Sequence, residues 1–427
     1  MARTNRRLLT AAAHQNSALL RLPYELLREI FMYYDNGTKE TKRWLASIAT
    51  ICKALQPDVE AVLYRTVETL YMFKHLNMFY RGVAKEPHRA TAVRSLHVVA
   101  WTSSAGIKTT LKRLFKQLTG LVHLKLIAQD TEMYNMLLDV PFQLCTLVAG
   151  GSCSSYPPRF EDILARHPTL RMLHFYFPLG ESGEAVGAPN LTIARPDILP
   201  NLQKLIVNTS LFSMSRLQYA YPKVTHLCIG KVTHDDVNRA ITLFGSNLVS
   251  FKLFRSLGPQ CTDSCYWPTS MLQNKRLPKL LQLEIVDVYD REDVLPGDPE
   301  YIPVVPGLSK SCPALRKFIW SVDSDLMDDL NVYLGDPSDD RTLMDQYALM
   351  LFRAFRTLQR VGFVDQSDKT GAYENFAYGE VYFRSRGRIR LREYGVVSGL
   401  TEWYDVPHND LASVGCVYVS GAYLVCT

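Results

Sequence analysis

A short pattern of apolar and variable positions recurs through the middle of the chain. It reads apolar, two variable residues, apolar, one variable residue, apolar, and the first clear copy is Val93/Leu96/Val98. The alternation at its end predicts a short strand with one buried face. Nine further copies begin at Leu121, Leu144, Leu170, Leu202, Val224, Leu248, Leu280, Leu315 and Leu358.

Helical stretches separate these predicted strands, and proline often stands two residues before a strand motif. Because proline disfavours the helical conformation of the residue before it, it ends a helix and allows the strand to begin. The prolines that lead a motif in this way are Pro168, Pro200, Pro222, Pro278 and Pro313. The clearest predicted helices cover residues 110–118, 160–166, 235–244 and 343–355.

The spacing of the motifs is typical of a repeat protein. Successive motifs start 22 to 43 residues apart, and most of the earlier intervals are within or near the ~20–29 residues of leucine-rich repeats. The later intervals require insertions. Residues 68–370 therefore resemble an irregular leucine-rich-repeat solenoid, an α/β fold with parallel strands on its concave side. An ordinary α/β domain with repeated strand–helix pairs is the alternative.

In such a solenoid the apolar motif positions point inward, and the variable residues beside them point to the concave face. A mixed face of histidines, lysines and aromatic residues suits protein recognition, although a passive surface would have the same composition. We predict that a target protein binds through His97, Lys125, His174, Tyr176, Ile206, His226, Lys252 and Glu284.

Before the repeats, the hydrophobic pattern is that of short amphipathic helices. Leu26, Leu27, Ile30 and Phe31 recur at helical spacing and predict one apolar stripe, while Pro23 fits the first turn of that helix. Two further short helices are predicted before residue 64. Three helices of this size bury little on their own, so they either leave an apolar stripe for a partner or cap the next domain.

Residues 20–67 resemble an F-box, in particular the version found in many fungal proteins. The resemblance rests on the sequence of residues 22–31, on Ile51-Cys52-Lys53-Ala54-Leu55, on Pro57 and on residues 63–65. Many F-boxes carry a tryptophan soon after the cysteine–basic pair, where this chain has Ala54-Leu55-Gln56. The resemblance implies docking onto the adaptor subunit of a cullin-RING (SCF-type) ubiquitin ligase. The docking residues that it implies are Pro23, Leu26, Leu27, Ile30, Phe31, Cys52 and Leu55.

The end of the chain departs from the repeat pattern. Arginine occupies every second position from residue 384 to residue 392, which predicts one strand with a basic face, with Ile389 and Leu391 facing the last repeat. We expect residues 371–427 to form a β-rich cap, because a solenoid needs its last edge covered. Binding of phosphate or an acidic partner is the alternative role for the arginines, which are Arg384, Arg386, Arg388, Arg390 and Arg392.

The length of the chain limits its domain organisation. The 427 residues are too many for one ordinary core and fit either two or three domains or one elongated repeat domain. A net charge of +6 is mild for that length and does not by itself suggest nucleic-acid binding. The nine scattered cysteines are odd in number, which indicates reduced thiols in a cytoplasmic or nuclear protein. No apolar stretch approaches the ~18 residues of a membrane helix. We expect residues 1–19 to be a disordered tail, with a short organelle transit peptide as the alternative.

Motifs of catalysis and cofactor binding are absent from the sequence. It has no P-loop, nucleophile elbow, zinc-protease helix or dinucleotide fingerprint, so no enzyme activity or cofactor is expected. Cys261 and Cys265 lack a second pair of zinc ligands, and the aspartates of residues 323–345 lack the glycine and terminal glutamate of a calcium loop. We therefore predict no metal site.

The sequence predicts a substrate receptor of an SCF-type ligase. Its partners would be the ligase adaptor subunit, the cullin scaffold and a target protein, and neither a membrane nor a nucleic acid is expected. A repeat scaffold without a ligase role is the main alternative. A nucleic-acid binder that uses the C-terminal arginines is a further one, but it would require basic or aromatic continuity that the sequence lacks.

Overall fold

The chain forms two compact units, one built mainly from residues 1–153 and the other mainly from residues 160–405. The predicted tail at residues 1–19 and the last part of the predicted cap, at residues 398–427, lie outside the described residues. The computed structural model describes residues 21–35, 38–71, 73–100, 102, 104–128, 130, 132–151, 159–176, 197–208, 221–232, 234–257, 272, 275–289, 306–322, 343–365, 377–385 and 388–397.

The first unit begins with three helices, which we call the N-terminal helices. Pro23 precedes the first helix, and the Thr38 hydroxyl caps the second by accepting a hydrogen bond from the Thr41 N–H at 3.3 Å. Pro57 lies in the first turn of the third, where its missing N–H costs nothing. The helices are α1 (Tyr24–Tyr34), α2 (Lys39–Ile51) and α3 (Gln56–Leu63).

The N-terminal helices share a small apolar core. Its members come from all three helices and from the turn between the second and the third, so the segment folds around its own centre. The buried residues are Leu27, Phe31, Leu45, Ala49, Leu55, Val59 and Val62.

Four parallel strands follow in the first unit. They pair in chain order, each with the next. The first of them was not predicted. The elements are β1 (Thr66–Leu70), α4 (Phe73–Lys85), α5 (Pro87–Ala92), β2 (Ser95–Ala100), α6 (Ala105–Gln117), β3 (His123–Ala128), α7 (Glu132–Asn135), a 3-10 turn (Met136–Asp139) and β4 (Thr146–Gly150).

The second unit carries seven more parallel strands and a terminal hairpin. Strands β5 to β11 pair in chain order, which confirms the predicted α/β class and parallel pairing. The elements are α8 (Phe160–Arg166), β5 (Met172–Tyr176), β6 (Lys204–Asn208), β7 (His226–Val232), α9 (His234–Phe244), β8 (Ser250–Leu257), β9 (Gln282–Tyr289), α10 (Pro306–Ser311), β10 (Lys317–Val322), α11 (Leu343–Ala354), β11 (Arg360–Asp365), β12 (Ala377–Ser385) and β13 (Arg388–Val397).

Each of the ten predicted motifs coincides with one strand from β2 to β11, and the motifs are aligned between neighbours. In the second unit the middle apolar residue of every motif pairs with the middle residue of the next. These side chains are at most 2% exposed, so the repeats stack in register around a continuous core. The aligned residues are Leu173, Leu205, Leu227, Phe251, Leu283, Phe318 and Val361.

Backbone hydrogen bonds repeat along the sheet at the start of each strand. The carbonyl of Gln203 accepts the N–H groups of Thr225 and His226 at 3.0 and 3.1 Å, and the same doubled contact recurs from repeat to repeat. Side chains link the turns before the strands in the same direction, from one repeat to the repeat before it. The Asn201 side-chain amide donates to the Pro168 carbonyl, and the Asn247 side-chain amide donates to the Pro222 carbonyl. These contacts provide hydrogen-bond partners for polar groups that an isolated repeat would leave unpaired.

The C-terminal arginines do not lie on one strand, so that prediction is wrong. Arg384 belongs to β12, and Arg388, Arg390 and Arg392 belong to β13, which pairs antiparallel with it. The alternation of arginine with other residues continues in the sequence through positions 386 and 387, which lie between the two strands. The sequence pattern therefore does not indicate where one strand ends and the next begins. The side chains of Arg388, Arg390 and Arg392 lie outside the described residues.

The Arg384 side chain has a structural role at the end of α11. Its guanidinium donates to the carbonyl oxygens of Phe352, Phe355 and Arg356, at 3.1 Å for Phe355 and 2.7 Å for Arg356. It also lies over the Phe352 ring, 5.1 Å from the centroid. Carbonyls at the end of a helix have no partner within the helix, and the helix dipole favours a cation there.

Candidate protein-binding surfaces

Helix α1 divides the predicted apolar stripe between two faces. Leu27 and Phe31 are 5% and 2% exposed and belong to the core of the N-terminal helices. Leu26 is 50% exposed and Ile30 is half-buried. Tyr33, one helical step further along the outer side, is 87% exposed. The accessible stripe is therefore Leu26, Ile30 and Tyr33, at spacings of four and three residues.

The other predicted docking residues are also divided. Pro23 is exposed, Cys52 is half-buried against the core, and Leu55 is part of the core. Of the seven predicted residues, Leu27, Phe31 and Leu55 can act on a partner only by supporting the helices.

Exposed aromatic residues that were not predicted as binding residues enlarge the accessible surface of the N-terminal helices. Tyr34 and Trp44 lie with ring centroids 5.6 Å apart, and both are about half exposed. Ile51, at the end of α2, is 79% exposed. Exposed apolar area of this kind is typical of protein-binding sites. The helical spacing of Leu26, Ile30 and Tyr33 is the signal that could have identified the outer stripe.

A buried carboxylate fastens the N-terminal helices to α5. Glu60 of α3 accepts two hydrogen bonds from Arg89, each at 2.7 Å, and one from the Gln56 amide at 2.8 Å. A ring nitrogen of His88 lies 2.8 Å from the same carboxylate. The Arg89 contact, followed by the other two, lowers the pKa of Glu60 to about 2 against the opposing effect of burial. This junction fixes the N-terminal helices to the start of the repeats.

The predicted concave face is partly accessible in the first unit. His97 and Lys125 are in register on neighbouring strands, and both are half-buried. Burial, together with the charge of Lys125, lowers the pKa of His97 to about 3, so its imidazole is neutral at physiological pH. These two residues can still contact a partner at the surface.

In the second unit the same row of positions is buried. His174, Ile206, Cys228, Lys252 and Glu284 lie in register on neighbouring strands, which confirms that they line one parallel sheet. Each is 6% exposed or less, so none is available for a direct contact in this conformation.

Two other predicted target-binding residues of this unit, His226 and Tyr176, are not part of that buried row. His226 is half-buried, and burial, assisted by the charge of Lys204, lowers its pKa to about 4. The Tyr176 side chain lies outside the described residues. Among the predicted target-binding residues of this unit whose side chains the structure describes, His226 is therefore the one that remains accessible.

Two buried ion pairs join β8 to β9. Lys252 donates to Glu284 at 2.5 Å, and its ammonium lies 5.0 Å from the centroid of the Phe254 ring. Three residues further along, Arg255 donates twice to Asp287, both times at 2.6 Å. Replacing a whole buried pair by apolar residues is often neutral, whereas removing one partner leaves an uncompensated buried charge and is strongly destabilising.

Trp320 of β10 forms a hydrogen bond with the carboxylate of the second ion pair. Its indole N–H donates to Asp287 at 2.6 Å, so one carboxylate links three neighbouring strands. Arg255, Asp287 and Trp320 are each at most 3% exposed. This cluster was not predicted, although Arg255 continues the alternation of the apolar positions in its motif.

In the part of the chain that the structure describes, no group of three or more histidine, cysteine or acidic residues could hold a metal ion. Cys261, Cys265 and residues 323–342 lie outside the described ranges. Within the described residues, no helix is both long and apolar enough to span a bilayer.

Comparison with known proteins leaves the family open. A scan against protein-family models finds no match, and a search of curated proteins finds no significant relative. Function is therefore inferred from the surfaces of the molecule itself.

Proposed function

We propose that the chain is a substrate receptor of an SCF-type ubiquitin ligase, with an F-box formed by the N-terminal helices and a leucine-rich-repeat-like solenoid that binds a target protein. The observation that carries the proposal is the division of α1. Leu27 and Phe31 fill the core, while Leu26, Ile30 and Tyr33 remain outside as an apolar stripe. A short helical unit with such a stripe fits the groove of a partner.

The proposed work of the protein is geometric and needs no catalytic residue. The F-box would hold the ligase adaptor while the solenoid holds the target, which raises the local concentration of target lysines near the transferred ubiquitin. The Glu60–Arg89 junction supports this role, because it fixes the adaptor-binding helices to the first repeats. The hairpin β12–β13 would close the last repeat, as expected of a solenoid cap.

Target binding would use the accessible part of the predicted concave face. In the first unit His97 and Lys125 retain exposed surface. In the second unit His226 does so, whereas Lys252 and Glu284 are paired and buried. The buried row would then act by holding the sheet in shape rather than by contact.

Affinity purification of the tagged full-length chain tests the proposal. We expect the ligase adaptor and the cullin to co-purify with it. Their clear absence, with the chain folded by circular dichroism, would contradict the ligase role and favour a repeat scaffold without ligase association.

A further inference from the structure

The second unit concentrates positive charge at one edge of its sheet. Because β5 to β11 are parallel, all seven strands begin at the same edge, and a described turn leads into each. In these turns Asp197 is the single acidic residue. The turns cover residues 167–171, 197–203, 221–225, 245–249, 275–281, 311–316 and 355–359. Their exposed basic residues, which we call the basic edge, are Arg171, Lys223, Arg276, Lys279, Arg316 and Arg356.

The chain connections add further charge to this edge. Helices α8, α10 and α11 each end six residues before a strand begins, and their last turns carry Arg166, Lys310 and Arg353. Cations in these positions stabilise the helix ends. The parallel architecture thus places helix-stabilising cations beside the basic edge.

Neighbouring repeats hold part of the basic edge in place. The Lys223 ammonium donates to the Asn201 side chain at 2.7 Å, and the Lys279 ammonium donates to the Asn247 side chain at 3.0 Å. Both lysines stay exposed, so their charge still faces water. The side chains of Arg276, Arg316 and Arg356, in the turns before three successive strands, are exposed as well.

We propose that the basic edge binds an acidic segment of the target protein, an inference that rests on the proposed role as a substrate receptor. Strands lie about 4.8 Å apart, so six spacings from β5 to β11 span roughly 29 Å, the length of about nine extended residues. An acidic stretch of that length would meet a cation from most repeats. Charge complementarity of this kind speeds association and selects the partner.

An acidic protein segment fits this edge better than single-stranded nucleic acid does. Nucleic-acid binding grooves combine cations with exposed aromatic rings on which bases stack. Among the side chains that the structure describes, the large exposed apolar ones lie between Tyr24 and Met78, in the first unit. The side chains of the second unit that the structure describes therefore include exposed cations but no large exposed aromatic ring on which a base could stack.

Fluorescence anisotropy with the full-length chain tests this proposal, with a labelled oligoglutamate peptide of about ten residues as the probe. The variant R276E/R316E/R356E reverses the charge before three successive strands. We expect it to weaken binding by about tenfold or more and to flatten the salt dependence. The matched control is K112E/R113E/K116E on α6, where all three side chains are also exposed. It makes the same change in net charge and should alter binding by less than about twofold.

Three results would overturn the proposal. They are no binding by the wild-type chain, an equal loss in both triple variants, and tighter binding of a single-stranded RNA of similar length through the same three arginines. Co-purification of the ligase adaptor separates this proposal from the proposed function, because R276E/R316E/R356E should leave it unchanged. Peptide binding that depends on the three arginines, in a wild-type chain that captures no adaptor, would refute the ligase role while supporting the basic edge.

Discussion

The N-terminal helices and the second unit expose different chemistry. In α1 and α2, apolar side chains such as Leu26, Tyr33 and Ile51 remain half or more exposed. In the second unit the apolar motif positions are buried strand after strand, and the described turns expose cations instead. A short helical unit cannot cover all of its apolar residues, whereas stacked repeats cover those of their neighbours. The two regions are therefore suited to different partners.

The largest effect is expected where three strands share one carboxylate. Asp287→Ala removes the acceptor of both Arg255 and Trp320 inside the second unit. We expect the free energy of unfolding to fall by about 3–5 kcal/mol, since a buried pair that loses one member is strongly destabilised. Urea denaturation measures this effect. Arg276→Ala, an exposed charge in the same unit, is the control, and an equal loss there would refute the assigned role of Asp287.

The same leucine-to-alanine substitution should have clearly different effects on stability in the two regions. Leu227→Ala creates a cavity in the aligned core of the second unit and should cost about 2–5 kcal/mol. Leu26→Ala, on the exposed stripe of α1, should change the stability of its unit by less than about 0.5 kcal/mol. Comparable losses in the two variants, measured by denaturant unfolding, would show that Leu26 is not a free surface residue.

A smaller, pH-dependent effect is expected at the junction of the N-terminal helices. Since the pKa of Glu60 is lowered to about 2, its ionised form stabilises the fold above its ordinary pKa near 4.5. That contribution should be lost as the pH falls from 4.5 towards 2. Glu60→Gln should therefore lose about 1–3 kcal/mol near neutral pH and progressively less in acid.

Unfolding midpoints at several pH values measure the Glu60 effect. Glu132→Gln is the matched control, because its carboxylate pairs with Lys108 but is 73% exposed. A difference between the wild type and Glu60→Gln that stays constant with pH would argue against the ion-paired junction.

The repeats could be predicted from the sequence because each strand carries its own signal. Leu205, for example, alternates with variable residues and follows a proline-led turn, and the same signal recurs in register from strand to strand. Strand β1 lacks the full apolar motif and was missed. Its assignment depends on pairing with β2, a contact that local pattern does not encode.

The sites were harder to predict than the fold. Periodicity places Leu26 and Leu27 in one stripe, but they are neighbours on the helix and only packing against α2 and α3 decides which one is buried. Alternation likewise places Lys252 and Glu284 beside the apolar positions, yet their burial and pairing depend on the neighbouring strand. Sequence patterns thus predicted on which face of a strand a residue lies, but they did not predict whether that residue is exposed.

The direct test of the central claim is binding of the purified full-length chain to the purified ligase adaptor, measured by calorimetry. Leu26→Asp/Ile30→Asp places two charges on the apolar stripe of α1 and should abolish binding, because a partner groove would have to bury them. Phe73→Asp/Met78→Asp makes the same kind of change at exposed positions of α4 and should leave binding intact. Undiminished binding by the α1 variant, or no binding by the wild type, would contradict the account.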